Sequence, residues 1–457
     1  MLCNRPIGQL QMNEIKSVQE GNPEGGENFM ETAGYKKNRA LILLIALAGM
    51  SVYLLPYFRS YYYDAYVAYF GISDLQMGML GSAYGALTIV GYCLGGWVAD
   101  RAPLKIVVPG SLIVTGAVGL ILLTKPAFPI HIAIYAIWGI TSVLTFWNPL
   151  MKVLRVLCRP EEQARGYALF DMGRGVLNFA SGLILVAAFT AACNVVGDEL
   201  GMSGLIVFYC AEAIIVGVIC YFALRNKIPD FKKIEKEKGE TNFGRQVLRV
   251  LKMPTTWLLV IVMFATYGVI VSYTYVVPYC TAAFGMSAAL ASIMGYAANG
   301  FRFVGCWAGG QIADRKGLSL MMMIDIILMM VGVAGLLLMP QTMTLLWLLI
   351  IFIGILCMSM YSAQALHYAI MEEGNYPVEI MGAATFIITP LGYGAESIMP
   401  LFNGWCLSTF EGVSGYRYMF TGFLVLLAIG LVAVLIFRGM TKERRAELAK
   451  LREQKAE

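Results

Sequence analysis

Residues 95–101 read Gly-Gly-Trp-Val-Ala-Asp-Arg, and residues 309–315 read Gly-Gly-Gln-Ile-Ala-Asp-Arg. The two copies lie 214 residues apart (314 minus 100), close to half of the 457-residue chain. At the same offset, Phe70-Gly71-Ile72-Ser73 corresponds to Phe284-Gly285-Met286-Ser287. Each copy ends a glycine-rich apolar stretch. A repeat of this length predicts two similar halves, and two similar membrane halves indicate a substrate path between them.

The composition indicates a membrane protein. Hydrophobic residues make up 58% of the chain and charged residues only 14%, whereas a soluble domain carries about 25% charged residues. The apolar stretches reach the roughly 20 residues that a helix needs to cross a bilayer. The sequence lacks the short alternating segments of an outer-membrane barrel. We therefore predict an all-α membrane protein.

The apolar stretches predict roughly twelve transmembrane helices in two six-helix bundles. The predicted spans are 40–68, 75–99, 104–123, 129–156, 165–192, 203–224, 255–282, 288–312, 318–338, 343–370, 379–407 and 415–437. Residues 1–38 are polar and lack the apolar region of a signal peptide. The predicted organisation is a disordered cytoplasmic tail (1–38), an N-terminal bundle (39–225), a cytoplasmic linker (226–253), a C-terminal bundle (254–438) and a cytoplasmic C-terminal helix (439–457).

Lysine and arginine collect on one side of the predicted spans. They lie before the first span, after the second, fourth and eighth, in the linker and at the C-terminus. Basic loops stay in the cytoplasm, so we expect both termini there, in a multi-pass protein of a bacterial inner membrane. Val247, Leu248, Val250 and Leu251 punctuate a basic stretch and predict a short helix on the membrane surface.

The repeated motif resembles the signature loop of the major facilitator superfamily, which follows the second and eighth helices. The matching residues are Gly95, Asp100, Arg101, Gly309, Asp314 and Arg315. The resemblance implies two bundles related by a pseudo-two-fold axis, with the first, fourth, seventh and tenth spans lining a cavity. An aspartate at a helix mouth can accept hydrogen bonds from another helix's N-terminus. The motif is thus a candidate gate; the alternative is a static loop that caps helices.

Residues 171–178 lack the Gly-Pro-x-x-Gly-Gly run of drug/proton antiporters, which argues against a multidrug exporter.

Arg59 lies inside the first span, where a charge costs about 2.5–3.5 kcal/mol on insertion scales. The chain resembles most closely the organic-anion branches of the superfamily, which place an arginine in this region. Guanidinium fits carboxylate or phosphate oxygens, so the resemblance implies an anionic ligand. The alternative is an ion pair with Asp64. The repeat equivalent of Arg59 is Tyr273, which argues against strict sugar-phosphate exchange, since those antiporters use a basic residue there.

Three further cations fall within predicted spans. Lys152 is a candidate ligand residue, or it extends to the interface. Arg174 either faces the ligand or pairs with Asp171 one turn earlier. Arg302 has no acidic neighbour in its own span. Several buried cations without as many buried anions indicate an anionic substrate.

Aromatic and amide side chains complete the predicted binding site, because they hydrogen-bond and stack on sugar-like ligands. The candidates are Tyr62, Trp147, Asn148, Tyr273, Tyr361 and Gln364. Proton coupling needs a buried group that titrates, and the candidates are Asp64, His367 and Glu396. For each aromatic residue the alternative is packing, and for each titratable residue it is a structural hydrogen bond.

These patterns together predict a secondary active transporter for a small organic anion, coupled to proton symport or to exchange against another anion. Rival hypotheses are a neutral sugar or nucleoside symporter and a sensor that binds ligand without flux. No Walker loop, metal-ligand spacing or nucleophile–base constellation indicates a pump, a metal site or an enzyme. We expect a monomer in the lipid bilayer, with no cofactor and no nucleic-acid partner.

Overall fold

The computed structural model describes residues 34–159, 162–225, 227–228, 243–377 and 380–456. These residues form helices joined by short turns, without strands. Most of the predicted tail and linker, and Glu379 of the loop before the eleventh span, lie outside the described residues.

Six spans form the N-terminal bundle. In chain order they are Tyr35–Tyr61 with its extension Tyr63–Phe70; Asp74–Arg101; Leu104–Gly119 with the 3-10 turn Leu120–Thr124; Phe128–Gly139, the π-helical Ile140–Trp147 and Asn148–Leu157; Gln163–Val196; and Asp198–Arg225.

The next six spans form the C-terminal bundle. They are Pro254–Ser272, the 3-10 turn Tyr273–Tyr275 and Val276–Phe284; Ala288–Lys316; Leu318–Leu338; Leu346–Leu366 after the 3-10 turn Met343–Leu345; Met381–Tyr393 with Ala395–Thr409; and Val413–Met440. Among the described residues, two α-helices lie outside the spans, Phe243–Leu251 and Lys442–Ala456.

The observed ends agree with the predicted spans within five residues, and the first span begins at Tyr35 and not at residue 40. The sixth span begins at Asp198 and not at residue 203, because Asp198 and Glu199 occupy a first helical turn, where the helix dipole favours negative charge. The tenth span ends at Leu366 and not at residue 370. A 3-10 turn, Ala369–Gly374, follows it.

Ten helices of the described residues are long and apolar enough to cross a membrane by length and composition. The other two spans have identifiable reasons for falling short. The eighth, Ala288–Lys316, carries Arg302 and many small residues. The eleventh is interrupted at Gly394, so neither of its segments reaches 18 residues. Twelve spans therefore describe the architecture.

The sequence repeat gives the same turn twice. Gly71 and Gly285 end the first and seventh spans in the left-handed region, with φ of 61° and 60°, which glycine adopts without strain. Ser73 and Ser287 then cap the second and eighth spans, each accepting a hydrogen bond from an amide three residues later. The repeated Phe-Gly-x-Ser sequence therefore determines the same helix-to-helix turn in both halves through adjacent residues.

The motif glycines also pack alike in both halves. A methyl carbon at Gly95 would lie 1.9 Å from Asn148 Nδ2, and one at Gly309 would lie 1.9 Å from Ser362 Oγ. Ser362 is the repeat equivalent of Asn148 (148 plus 214). The glycines thus allow the second and eighth spans to approach the fourth and tenth closely.

The two bundles meet along two seams. We name the side of Gly34 and Lys442–Ala456 the terminal side, and the other the opposite side. In the first seam the second span packs antiparallel to the eleventh. On the opposite side the Leu75 amide donates to Ser408 Oγ (2.7 Å), and the Leu401 amide donates to Ser82 Oγ (3.1 Å).

The second seam joins the first and fifth spans to the eighth. Ser292 Oγ donates to the Tyr61 carbonyl (2.5 Å), and the Tyr61 ring stacks on Tyr296 with centroids 4.0 Å apart. Nearer the middle, Asn299 Nδ2 donates to Asn178 Oδ1 (3.3 Å). These contacts join the two bundles on the opposite side.

Candidate functional site

Helix irregularities shape the centre of the molecule. The first span contains Pro56 and breaks at Tyr62. The seventh changes to a 3-10 turn at Tyr273–Tyr275, close to the repeat-equivalent position. The fourth span is π-helical over Ile140–Trp147. Such departures from α-helix occur often at functional sites, because they re-aim side chains and free backbone groups.

A small inner chamber lies between the bundles at the first seam. Its volume of about 10 Å³ is room for roughly one water molecule. Arg59 and Glu396 both line it; the other lining residues are Pro56, Tyr57, Gly81, Tyr84, Val271, Thr274, Tyr275 and Pro400. One cation and one anion therefore share this chamber.

Arg59 is 6% exposed, and its guanidinium is held by neutral groups. Nη1 donates to the Met77 carbonyl (3.3 Å), and Cζ lies 5.4 Å from the Tyr135 ring centroid. A methyl carbon at Gly81 would lie 2.6 Å from Nη2, so Gly81 makes room for the side chain. The alternative partner, Asp64, lies beyond the helix break and lines a different cavity.

Glu396 connects the two bundles. This buried carboxylate belongs to the eleventh span of the C-terminal bundle. It accepts hydrogen bonds from Tyr57 and Thr88 of the N-terminal bundle, the second at 3.3 Å, and from Tyr267 of its own bundle at 3.4 Å. The hydrogen bonds of this one titratable group therefore span the first seam.

Two arginines from opposite bundles converge on one carboxylate at the second seam. Arg174 Nη1 lies 3.5 Å from Asp171 Oδ1, and Arg302 Nη2 lies 3.9 Å from the same oxygen. The side chains of the arginines are 17% and 26% exposed, whereas that of Asp171 is 58% exposed. We name these three residues the arginine pair and its aspartate.

Aromatic rings surround the arginine pair. Arg174 Cζ lies 4.8 Å from the Trp147 ring centroid and 5.9 Å from that of Tyr53. Arg302 Cζ lies 4.9 Å from the Tyr361 ring centroid. Cation–π contacts of this kind hold a guanidinium in place without neutralising it, so its charge remains available to a ligand.

Three of the sequence candidates make contacts within their own bundle. Lys152 Nζ forms an ion pair with Asp100 Oδ1 (2.9 Å). The Asn148 amide donates to the Val143 and Gly91 carbonyls (3.2 and 3.4 Å). The Tyr273 hydroxyl donates to the Met294 carbonyl (2.6 Å). Each of these contacts gives the side chain a polar partner within the protein, so no ligand is needed to explain where the side chain lies.

The remaining ligand and proton candidates are dispersed. Tyr62 and Asp64 line a cavity of about 620 Å³ on the opposite side. Gln364 Oε1 is buried and accepts no hydrogen bond from any residue that the structure describes. His367 is fully buried, with Nε2 2.9 Å from Thr266 Oγ1 and Nδ1 3.4 Å from the Tyr393 hydroxyl. Of the three proton candidates, Glu396 accepts hydrogen bonds from residues of both bundles.

The two copies of the motif differ in their partners. In the first copy Asp100 pairs with Lys152, and Arg101 Cζ lies 4.9 Å from the Trp97 ring centroid. In the second copy Asp314 and Arg315 are exposed in the last turns of the eighth span.

This arrangement defines a membrane protein of two pseudo-symmetric six-helix bundles, with charged side chains at both seams between them. The Major Facilitator Superfamily family model matches residues 40–400. The chain belongs to this superfamily.

Curated relatives match nearly the whole chain. Inner membrane protein YihN of Escherichia coli (strain K12) is 26% identical over 427 residues, which cover 91% of this chain and 99% of that protein. Inner membrane protein YqcE of the same strain is 26% identical over 421 residues, covering 89% and 96%.

Solved structures share the fold. A bacterial homolog of the human lysosomal transporter Spinster, in an inward-facing and unoccupied conformation, has a TM-score of 0.65 at 17% identity and covers 90% of this chain and 99% of its own. The nucleoside transporter NupG has a TM-score of 0.61 at 15% identity, covering 88% and 98%. The family points to a transporter rather than an enzyme.

Proposed function

We propose that this protein is a secondary active transporter that carries a small organic anion together with a proton. The observation that carries the proposal is the convergence of Arg174 and Arg302 from opposite bundles on a single, largely exposed carboxylate. Two guanidinium groups and one carboxylate leave one positive charge for a ligand. An anion that bridges both arginines would draw the bundles together, which is the differential binding that alternating access requires.

The surroundings suit an organic anion with a sugar-like body. A guanidinium offers a planar set of N–H donors that matches carboxylate, sulfonate or phosphate oxygens. Trp147, Tyr53 and Tyr361 lie beside the guanidinium groups, and such rings can also stack on a sugar face.

Glu396 is the proton-binding group in this proposal. When Glu396 is ionised, its charge balances that of Arg59 in the inner chamber. When Glu396 binds a proton, the positive charge of Arg59 is no longer compensated. The centre of the molecule then gains one positive charge and binds an anion more strongly. Protonation also removes an acceptor that Tyr57 and Thr88 use across the seam. Anion binding and release of the seam would thus be linked to the same proton.

The membrane orientation follows from the basic loops. Arg101, Lys105, Arg315 and Lys316 lie on the terminal side, with both described ends of the chain. We therefore place the terminal side in the cytoplasm. In this proposal the structure, whose bundles are joined by hydrogen bonds on the opposite side, would exchange substrate with the cytoplasm. The repeated motif would act when the terminal side closes, and the protein would work as a monomer.

A ligand screen tests the anionic class. Purified protein is screened by thermal shift against hexuronates, hexose sulfonates, hexose phosphates, dicarboxylates and the matching neutral hexoses. We expect stabilisation by anions that Arg174→Gln and Arg302→Gln each abolish. Arg245→Gln, on the exposed surface helix Phe243–Leu251, is the matched control and should leave the shift unchanged.

Two rival hypotheses predict different results in these measurements. A neutral sugar or nucleoside symporter would be stabilised by an uncharged ligand, and that stabilisation would survive both arginine variants. The pairing of each arginine with Asp171 is the observation that favours this rival. A non-transporting sensor would bind the ligand but show no flux in proteoliposomes.

A further inference from the structure

Asp171 occupies a position that the transport cycle just described does not use. It precedes Arg174 by one helical turn and is, among the described residues, the one carboxylate within 4 Å of either arginine of the pair. Both ion-pair distances, 3.5 and 3.9 Å, run to the same oxygen and exceed a hydrogen-bonded ion pair. The guanidinium groups therefore keep N–H donors for another anion beside the aspartate.

The charge of this cluster sets what can join it. The arginine pair and its aspartate carry two positive charges and one negative charge, so a singly charged ligand neutralises them. A doubly charged ligand would leave an excess negative charge next to Asp171, within a few ångströms of a like charge. At a partly buried site such repulsion is costly.

Building on the proposed function, we propose that Asp171 is the residue that restricts the substrate to singly charged organic anions, carboxylates or sulfonates, and disfavours phosphate monoesters, which carry a charge of about −1.5 to −2 at pH 7. Asp171 neutralises one of the two positive charges of the arginine pair, and the substrate anion neutralises the other. Removing the aspartate charge leaves two uncompensated guanidinium groups, which match a dianion.

The remaining charges of the centre do not alter this comparison. Arg59 and Glu396 lie in the inner chamber at the other seam and are the same in every Asp171 variant. Tyr273, the repeat equivalent of Arg59, adds no charge and donates to a carbonyl of its own bundle. A change in preference between singly and doubly charged ligands would therefore report on Asp171 alone.

The test measures selectivity in the full-length protein in nanodiscs at pH 7.5. Affinities for a hexuronate, a hexose 6-sulfonate and a hexose 6-phosphate are measured for the wild type and for Asp171→Asn, Asp171→Glu and Asp198→Asn. We expect the wild type to prefer the singly charged ligands. Asp171→Asn should move the phosphate-to-uronate affinity ratio by about fivefold or more toward phosphate, since one unit charge about 4 Å away is worth about that factor even at the dielectric constant of bulk water. Asp171→Glu keeps the charge, and Asp198→Asn removes one on the opposite side, so both should keep the wild-type ratio.

The affinity ratios distinguish a failure of the role of Asp171 from a failure of the transport proposal. An unchanged ratio in a folded Asp171→Asn protein that still binds anions through Arg174 and Arg302 would overturn the role of Asp171 and leave the transport proposal intact. A shift seen equally in Asp198→Asn would also overturn it, because the effect would then be general electrostatics. If no anion stabilises the wild type, the proposed function itself fails, and this inference fails with it.

Discussion

The Tyr57 hydroxyl of the first span donates a hydrogen bond to the Glu396 carboxylate of the eleventh span, across the boundary between the two bundles. Thr88 of the second span donates to the other carboxylate oxygen at 3.3 Å. A group that must part from such donors when the bundles move is suited to couple a proton to that movement.

Replacing Glu396 by glutamine should therefore uncouple transport from protons. The amide is neutral at every pH, so we expect Glu396→Gln proteoliposomes to lose accumulation driven by a pH gradient. They should keep substrate exchange at equal pH on both sides. Uptake of a labelled anion found by the ligand screen, with and without the gradient, measures both activities.

Asp64→Asn is the matched control for this loss. It removes a carboxylate that lines the cavity of about 620 Å³ on the opposite side, and it should retain gradient-driven uptake. Full accumulation by Glu396→Gln would show that another group, His367 being the next candidate, carries the proton.

Glycines of the second span should control opening of the opposite side. A methyl carbon at Gly85 would lie 2.3 Å from the Glu396 carbonyl oxygen, and one at Gly78 would lie 2.3 Å from the Pro400 carbonyl oxygen. Backbone atoms cannot move aside as a side chain can. Gly78→Ala and Gly85→Ala should thus push the bundles apart at this seam while leaving each bundle folded.

Spin labels can measure that separation. In a cysteine-free background, labels at Val195→Cys and Glu411→Cys report the distance between the bundles on the opposite side by double electron–electron resonance. Both alanine variants should lengthen it. Gly96→Ala, in the same span, meets nothing within 4 Å and should not. If Gly85→Ala left the distance distribution unchanged, the seam would not be the gate.

A glycine that packs inside one bundle should affect stability and not opening. A methyl carbon at Gly305 would lie 2.3 Å from the Met358 carbonyl oxygen of the tenth span. Gly305→Ala should lower the melting temperature by several degrees, because overpacking costs about 1–3 kcal/mol. Gly310→Ala, five residues later in open space, should leave it equal or slightly higher, since alanine favours helix by roughly 0.5–1 kcal/mol over glycine. Equal melting temperatures for the two variants would contradict this account of the eighth span.

Features encoded locally could be predicted from the sequence. The turn at Gly71 and Ser73 repeats at Gly285 and Ser287 because a left-handed glycine and a serine cap need only adjacent residues. The twelve spans follow from apolar length in the same way. Glu396 was identifiable as a candidate because a carboxylate inside an apolar span is rare.

Contacts between bundles could not be predicted, because they depend on how the bundles dock. Asp171 and Arg302 are 131 residues apart (302 minus 171), and neither span alone indicates that they meet. One signal was available: the one acid in the span of Arg302, Asp314, lies twelve residues further along, about 18 Å in a helix, so the partner of Arg302 had to lie elsewhere. Thr88, the repeat equivalent of Arg302, gave no such signal, because it faces the first seam and donates to Glu396.

The repeat equivalents Arg59 and Tyr273 differ in backbone and in partners. Arg59 lies in regular helix, whereas Tyr273 begins a 3-10 turn. A 3-10 turn advances by 120° per residue and an α-helix by about 100°, so the residues that follow Tyr273 turn away from the directions of those that follow Arg59. The Tyr273 hydroxyl itself bonds inside its own bundle.

Glu373 should stabilise the C-terminal bundle by capping the ninth span. This carboxylate is 1% exposed, and it accepts hydrogen bonds from the Leu318 amide (2.8 Å) and the Ser319 amide (3.3 Å). The amides at a helix N-terminus otherwise lack acceptors, and a cap there is worth about 0.5–2 kcal/mol. Glu373→Ala leaves both amides buried without this acceptor and should lower the melting temperature by several degrees. Glu372→Ala removes the exposed neighbouring carboxylate and should not. Thermal unfolding of the two variants in the same detergent compares their melting temperatures directly. An equal decrease in melting temperature in both would mean that net charge near the terminal side, and not the cap, determines stability.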